Sequence, residues 1–126
     1  MKKFIFTIDD SNVINVNLDQ VLKTAGYEHE HAFNGLLAKE KIEHFKNEKK
    51  HISLIICDVN MPEINGLDFL KWFKEQPENK LTPIIMLTTE SEIPLMQKAK
   101  SLGATGWIIK PFEENVLLDV IRKFAR

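Results

Sequence analysis

A chain of 126 residues, 44% hydrophobic and 28% charged, has the balance of one globular domain with one core. Its net charge of -1 leaves no field that would gather nucleic acid or an anionic membrane. The opening "MKKFIFTIDD" is too short in apolar residues for a signal-peptide core (about 7–15) or a membrane span (about 20).

The lone Cys57 has no intramolecular disulfide partner, which suits a reducing compartment. A cytoplasmic protein without membrane insertion is the expectation. "KFIFTI" is the first predicted strand and ends at Asp9-Asp10. Ile14, Leu18, Val21, Leu22 and Ala25 then follow i, i+4, i+7, i+8, i+11, one stripe of an amphipathic helix. Asp10 or Ser11 can cap its start and Gly26 can close its end. "YEHEHAF" is a polar second strand, on which His29 and His31 share a face. That pair reads either as two ligands for a transition metal or as an edge strand protected by polarity. After Asn34-Gly35, the residues Ala38, Ile42 and Phe45 mark the second helix, with "NEKKH" as a solvated exit.

"ISLIICD" is the third strand, and its lack of alternation suits a central parallel strand covered on both faces. Gly66 opens a third helix that carries Leu67, Leu70 and Phe73 inward and ends before Pro77, with Phe69 and Trp72 as ordinary packing. "TPIIMLTT" is the fourth strand. The fourth helix is expected to place Leu95, Ala99 and Leu102 on one face, with Pro94 in its first turn and Gly103 at its end. "GWIIK" is a short fifth strand stopped by Pro111, and Leu117, Val120, Ile121 and Phe124 mark the last helix. Five β-α units with short connections predict a single α/β domain over residues 1–126. Its sheet is parallel and doubly wound, with right-handed crossovers and helices on both faces.

Sites in such sheets form at the carboxyl ends of the strands. Strand one delivers Asp9 and Asp10, strand three Asp58, strand four Thr88 and Thr89, and strand five Lys110. Alone, Asp58 would read as a cap or turn residue; in this company it reads as part of a site. Three carboxylates in one cleft repel one another, and some would stay protonated without compensation. A hard divalent cation such as Mg2+, which takes oxygen ligands, resolves the conflict. Phosphoryl chemistry follows: the metal and Lys110 screen charge while a carboxylate attacks phosphorus, and Thr88 donates a hydrogen bond to a phosphoryl oxygen.

Over nearly its whole length the chain resembles the CheY-like receiver domain of two-component response regulators. The marks are Asp9-Asp10 after strand one, Asp58 followed by "VNMPEING", Thr88 after strand four, and Lys110-Pro111 after strand five. The resemblance implies a flavodoxin-like, five-stranded sheet in the order 2-1-3-4-5. It implies that Asp58 accepts a phosphoryl group from phosphohistidine on a sensor histidine kinase or histidine phosphotransfer protein. Asp9, Asp10, Asp58 and the backbone carbonyl of Asn60 would hold Mg2+. Lys110 would pair with the carboxylate and then with the phosphoryl group, and its bond to Pro111 would be cis.

By the same resemblance, Thr88 and Trp107 are the switch pair, and Asn60, Thr89 and Glu90 occupy positions that tune phosphate lifetime. Such a stand-alone receiver is no enzyme in the ordinary sense, although it promotes its own phosphorylation and dephosphorylation. It would signal to a downstream protein through the face of the fourth helix, fifth strand and fifth helix.

Two residues depart from the family pattern. Trp107 stands where Tyr or Phe is usual, so its bulk is expected to hinder the inward rotamer. Thr89 is larger than the usual small residue and is expected to narrow access to Asp58. Both leave room for an alternative, a pseudo-receiver that keeps the fold and uses no phosphate, although the complete set of acids with Thr88 and Lys110 argues against it. A flavodoxin-type cofactor protein is disfavoured because "IDDSN" puts two acids where a phosphate-cradling loop would sit. A hydrolase is disfavoured because no G-x-S-x-G elbow is present.

Overall fold

The computed structural model describes residues 2–126. Five strands, β1 (Phe4–Ile8), β2 (Glu28–Ala32), β3 (Leu54–Asp58), β4 (Ile84–Thr88) and β5 (Gly106–Ile109), form one parallel sheet ordered β2-β1-β3-β4-β5. The helices are α1 (Asn12–Thr24), α2 (Gly35–Asn47), α3 (Gly66–Lys74), α4 (Met96–Ser101) and α5 (Glu114–Phe124). Every residue of β1, β3 and β4 is buried, the physical counterpart of their unbroken apolar runs: helices cover both faces.

Alternation along the strands divides the core into two layers. Phe4, Phe6 and Ile8 of β1 pack with Ile42 and Phe45 of α2, Phe69 and Phe73 of α3, and Met96 and Ala99 of α4. Ile5 of β1 faces the other way, with Leu18 and Leu22 of α1 and Leu117 and Ile121 of α5. Local chemistry sets the helix starts. The Ser11 hydroxyl accepts the Ile14 N–H, Asn34 accepts that of Leu37, and Asn65 accepts that of Asp68. Gly26, at φ +94°, takes the left-handed conformation that ends α1.

The region before α4 differs from the expectation. Glu90–Leu95 is a 3-10 helix that contains Pro94, and α4 begins only at Met96. Thr89 and Glu92 form a capping box that starts a tight turn, and Pro94 adds no N–H to it. The α geometry therefore starts late, so Met96 and Ala99 turn inward while Leu95 remains 42% exposed. Ala25 is likewise exposed, as the C-cap of α1 and not part of its buried stripe.

The second strand is an edge strand, yet His29 is buried beneath α1. Its Nε2 lies 2.7 Å from the Thr7 hydroxyl and its Nδ1 lies 2.8 Å from Asp19 Oδ1. Both ring nitrogens are therefore occupied, which overturns the metal-pair reading of His29 and His31. On the outer side of the same strand, Glu28 and Glu30 share Lys50, at 3.5 and 3.4 Å.

Candidate functional site

Pairing of Ile8 with Cys57 in adjacent strands brings Asp9 and Asp58 out side by side at the carboxyl edge. Asp9 is fully buried and held at four points, one of them its own N–H, which donates to the Ala32 carbonyl at 3.1 Å. Its Oδ1 accepts the Ser11 N–H at 2.9 Å, its backbone carbonyl accepts the Asn15 side-chain amide at 2.8 Å, and its Oδ2 accepts Lys110 Nζ at 2.9 Å. The same ammonium lies 3.3 Å from Asp58 Oδ2. Asp58 Oδ1 has only a long contact, 3.4 Å, with the Asn60 N–H.

The charges follow from this arrangement. Burial and the neighbouring Asp9 charge push Asp58 up to about 6, although Lys110 pulls in the other direction. Burial by itself would push Lys110 down, but the hydrogen bond to Asp9 and the charge of Asp58 more than offset it, so Lys110 is raised and stays an ammonium. Asp10 stands exposed at the rim. One oxygen from each of Asp9, Asp10 and Asp58 lies within 4.8 Å of the others. This set of hard oxygen donors, with one member open to solvent, fits a small divalent cation such as Mg2+.

The remaining predicted positions surround this cluster. The Lys110 N–H donates to the Thr88 carbonyl at 2.6 Å, which ties β5 to β4 at the pocket, and the Lys110–Pro111 bond is cis. The Thr88 hydroxyl is buried and donates to the Thr89 carbonyl at 3.1 Å. Thr89 is exposed, and its side chain bonds Ser91 and Glu92, so it caps the 3-10 helix that follows. Asn60 and Glu90 are exposed. Trp107 points outward, 43% exposed, on the solvent side of β5.

Sequence reasoning missed one residue here, Asn15, and for a second, Gly66, the reason it must be glycine. Asn15 is completely buried and could have been found: with Leu18 and Leu22 it falls on the inward stripe of α1, a polar residue where an apolar one is expected. Gly66 had no such signal. A Cβ there would run into the Asp58 carbonyl oxygen and lie 2.8 Å from Val59 Cα, so only glycine lets α3 start so close to the acidic loop.

A doubly wound parallel sheet with paired acids from β1 and β3 and a lysine from β5 at one edge defines an α/β domain with an acidic pocket. Comparison with known proteins narrows this class. The response regulator receiver domain family matches residues 5–122, and the chain belongs to that family. It is 30% identical over 124 residues to sporulation initiation phosphotransferase F of Bacillus subtilis, covering 98% of this chain and 94% of that one. It is 35% identical over 116 residues to the chemotaxis protein CheY1 of Helicobacter pylori, covering 91% and 90%. The structure of Vibrio cholerae chemotaxis protein CheY4 superposes with a TM-score of 0.87 at 38% identity, over 98% of this chain and 99% of that one. Receiver domains are phosphoacceptors of two-component and phosphorelay signalling and not classical enzymes. Among the described residues no helix is long and apolar enough to cross a membrane.

Proposed function

We propose that residues 1–126 act as one receiver domain in which Asp58 takes a phosphoryl group from phosphohistidine on a sensor histidine kinase or histidine phosphotransfer protein. The observation that carries the reading is the Lys110 ammonium, 2.9 Å from Asp9 and 3.3 Å from Asp58, inside a cluster of three carboxylates. An Asp58 oxygen attacks phosphorus, the P–N bond to the donor histidine breaks, and the imidazole leaves with the bonding pair and takes up a proton. With its pKa near 6, Asp58 is ionised at neutral pH and more basic than an exposed carboxylate. Lys110 already touches one Asp58 oxygen and remains beside the phosphoryl group as charge builds on it.

Asp9, Asp10, Asp58 and the Asn60 carbonyl would hold Mg2+. When bound, the ion supplies positive charge against the acids and the phosphoryl oxygens. Thr88 would leave the Thr89 carbonyl and donate to a phosphoryl oxygen, with Trp107 as its aromatic partner. Asn60, Thr89 and Glu90, all exposed around the pocket, would tune the lifetime of the phosphate and with it self-dephosphorylation. Exposed Leu95, Trp107 and Ile109 support a downstream protein partner at the α4, β5 and α5 face. The reading carries a cytoplasmic location, beside the donor.

Acetyl phosphate with Mg2+ should add one phosphoryl mass to the wild-type chain and none to Asp58→Ala, read by intact-protein mass spectrometry. Equal labelling of Asp58→Ala would sink the assignment. The outward Trp107 and the committed Thr88 hydroxyl favour one second reading, a pseudo-receiver that binds partners without phosphate. Under that reading, Mg2+ with beryllofluoride leaves tryptophan fluorescence unchanged and no label forms.

A further inference from the structure

Thr89 links the buried Thr88 hydroxyl to the 3-10 helix Glu90–Leu95, and Glu92 holds both peptide units that flank its Cα, one with its carboxylate and one with its backbone N–H. Glu92 Oε1 accepts the Thr89 N–H at 2.9 Å and the Thr89 hydroxyl at 3.0 Å. The Glu92 N–H donates back to the Thr89 carbonyl at 3.0 Å. That carbonyl is also the acceptor for the Thr88 hydroxyl, at 3.1 Å. The Ser91 hydroxyl lies 3.0 Å from that of Thr89 and completes the cap. Glu92 thus stands outside the acidic cluster but fixes the one atom that occupies the Thr88 hydroxyl.

We infer that Glu92 is a positioning residue: through the capping box it holds the Thr89 carbonyl as the resting acceptor for Thr88, and so sets how readily Thr88 turns to a phosphoryl group on Asp58. This rests on the reading of Asp58 as phosphoacceptor. The physical reason is competition. A buried hydroxyl keeps a partner at nearly all times, because leaving it unpaired in the interior is costly. While the box holds the Thr89 peptide in place, a phosphoryl oxygen must displace a well-placed carbonyl. With the carboxylate removed, the Thr89 N–H and hydroxyl lose their anchor, and the carbonyl, in the next peptide unit, is held by the Glu92 backbone N–H without that support and turns away more easily. The phosphoryl oxygen then meets less competition.

The test is calorimetric titration of the full chain with beryllofluoride at saturating Mg2+, with Mg2+ alone as a parallel titration. Glu92→Ala should bind beryllofluoride about two- to thirty-fold tighter, the range that loss of a cap implies, with Mg2+ affinity unchanged. Glu92→Gln keeps an acceptor for Thr89 and should restore the wild-type value. In a Thr88→Ala background, Glu92→Ala should have no effect. Unchanged or weaker binding by Glu92→Ala overturns the inference, as does an equal gain in Glu92→Gln or a gain that persists without Thr88. A wild-type chain that binds no beryllofluoride overturns the phosphoacceptor reading and this one together; a binding wild type with an unmoved variant overturns this one alone.

Discussion

Asp9, Asp58 and Lys110 at the carboxyl edge, and Thr7, His29 and Asp19 beneath α1, are neighbouring polar clusters that begin two residues apart, at Thr7 of β1 and at Asp9 just beyond its end. In the second cluster every group has a partner. An Nδ1–H that donates to Asp19 leaves Nε2 to accept the Thr7 hydroxyl, and burial, against the pull of Asp19, holds His29 below its ordinary pKa and so neutral. The first cluster does not balance. Three carboxylates converge on it with one ammonium, and the neighbouring Asn15 Oδ1 is buried without a partner among the described residues. The difference teaches that burial by itself does not mark function. A satisfied polar cluster fastens α1 to the sheet; a cluster with surplus negative charge is disposed toward an incoming cation.

The comparison breaks most easily at Gly66, because the acidic cluster depends on a close backbone approach and the histidine cluster does not. Gly66→Ala should cost roughly 3 kcal/mol or more in urea denaturation, since the atoms that a Cβ would meet are backbone atoms of Asp58 and Val59. Labelling of Asp58 should fall at least about ten-fold. Wild-type stability with wild-type labelling would show that the approach is not required.

The unbalanced charge itself is tested by Asp58→Asn. The folded chain binds the Asp58 proton more tightly than the unfolded chain, because the pKa rises from 3.8 to about 6. Stability from this group is therefore present at low pH and lost as pH rises through that interval. At pH 7.5 in chelator, Asp58→Asn should be more stable by roughly 2–3 kcal/mol, and the gain should shrink toward zero as pH falls to about 4. A variant no more stable than wild type at pH 7.5 would mean that the acidic cluster carries no electrostatic strain.

For His29 the sign is opposite. Its pKa is lowered, mainly by burial, so its contribution is complete above about pH 6.5 and lost as pH falls. His29→Val should destabilise by about 1–2 kcal/mol, because the Thr7 hydroxyl is left unpaired, and should remove that acid-side loss. Thr7→Val added to it should recover most of the stability, since both polar partners are then gone. Labelling of Asp58 should be unchanged in both. A large loss of labelling would mean that the two clusters are coupled and the contrast between them is false.

Strand and helix order, the parallel sheet and the acids and lysine at its edge were legible because they rest on short-range signals. Apolar runs, 3.6-residue stripes and cap residues report on a few neighbours at a time. His29 was misjudged because its partners lie on another strand and a helix, 22 and 10 residues away. Leu95 was turned inward by a pattern that ignored the capping box of Thr89 and Glu92 and the late start of α4.

The amino-acid sequence therefore determined which groups reach the carboxyl edge, since strand periodicity and breaker residues act locally. Which of those groups pair was settled by packing. Lys110 bonds Asp9 across 101 residues of chain at a shorter distance than it keeps to Asp58. Gly66 is required by a backbone contact that exists only once α3 sits against the loop after β3. Long-range distances of this kind depend on how four crossovers and the final helix stack, and no local window of residues encodes them.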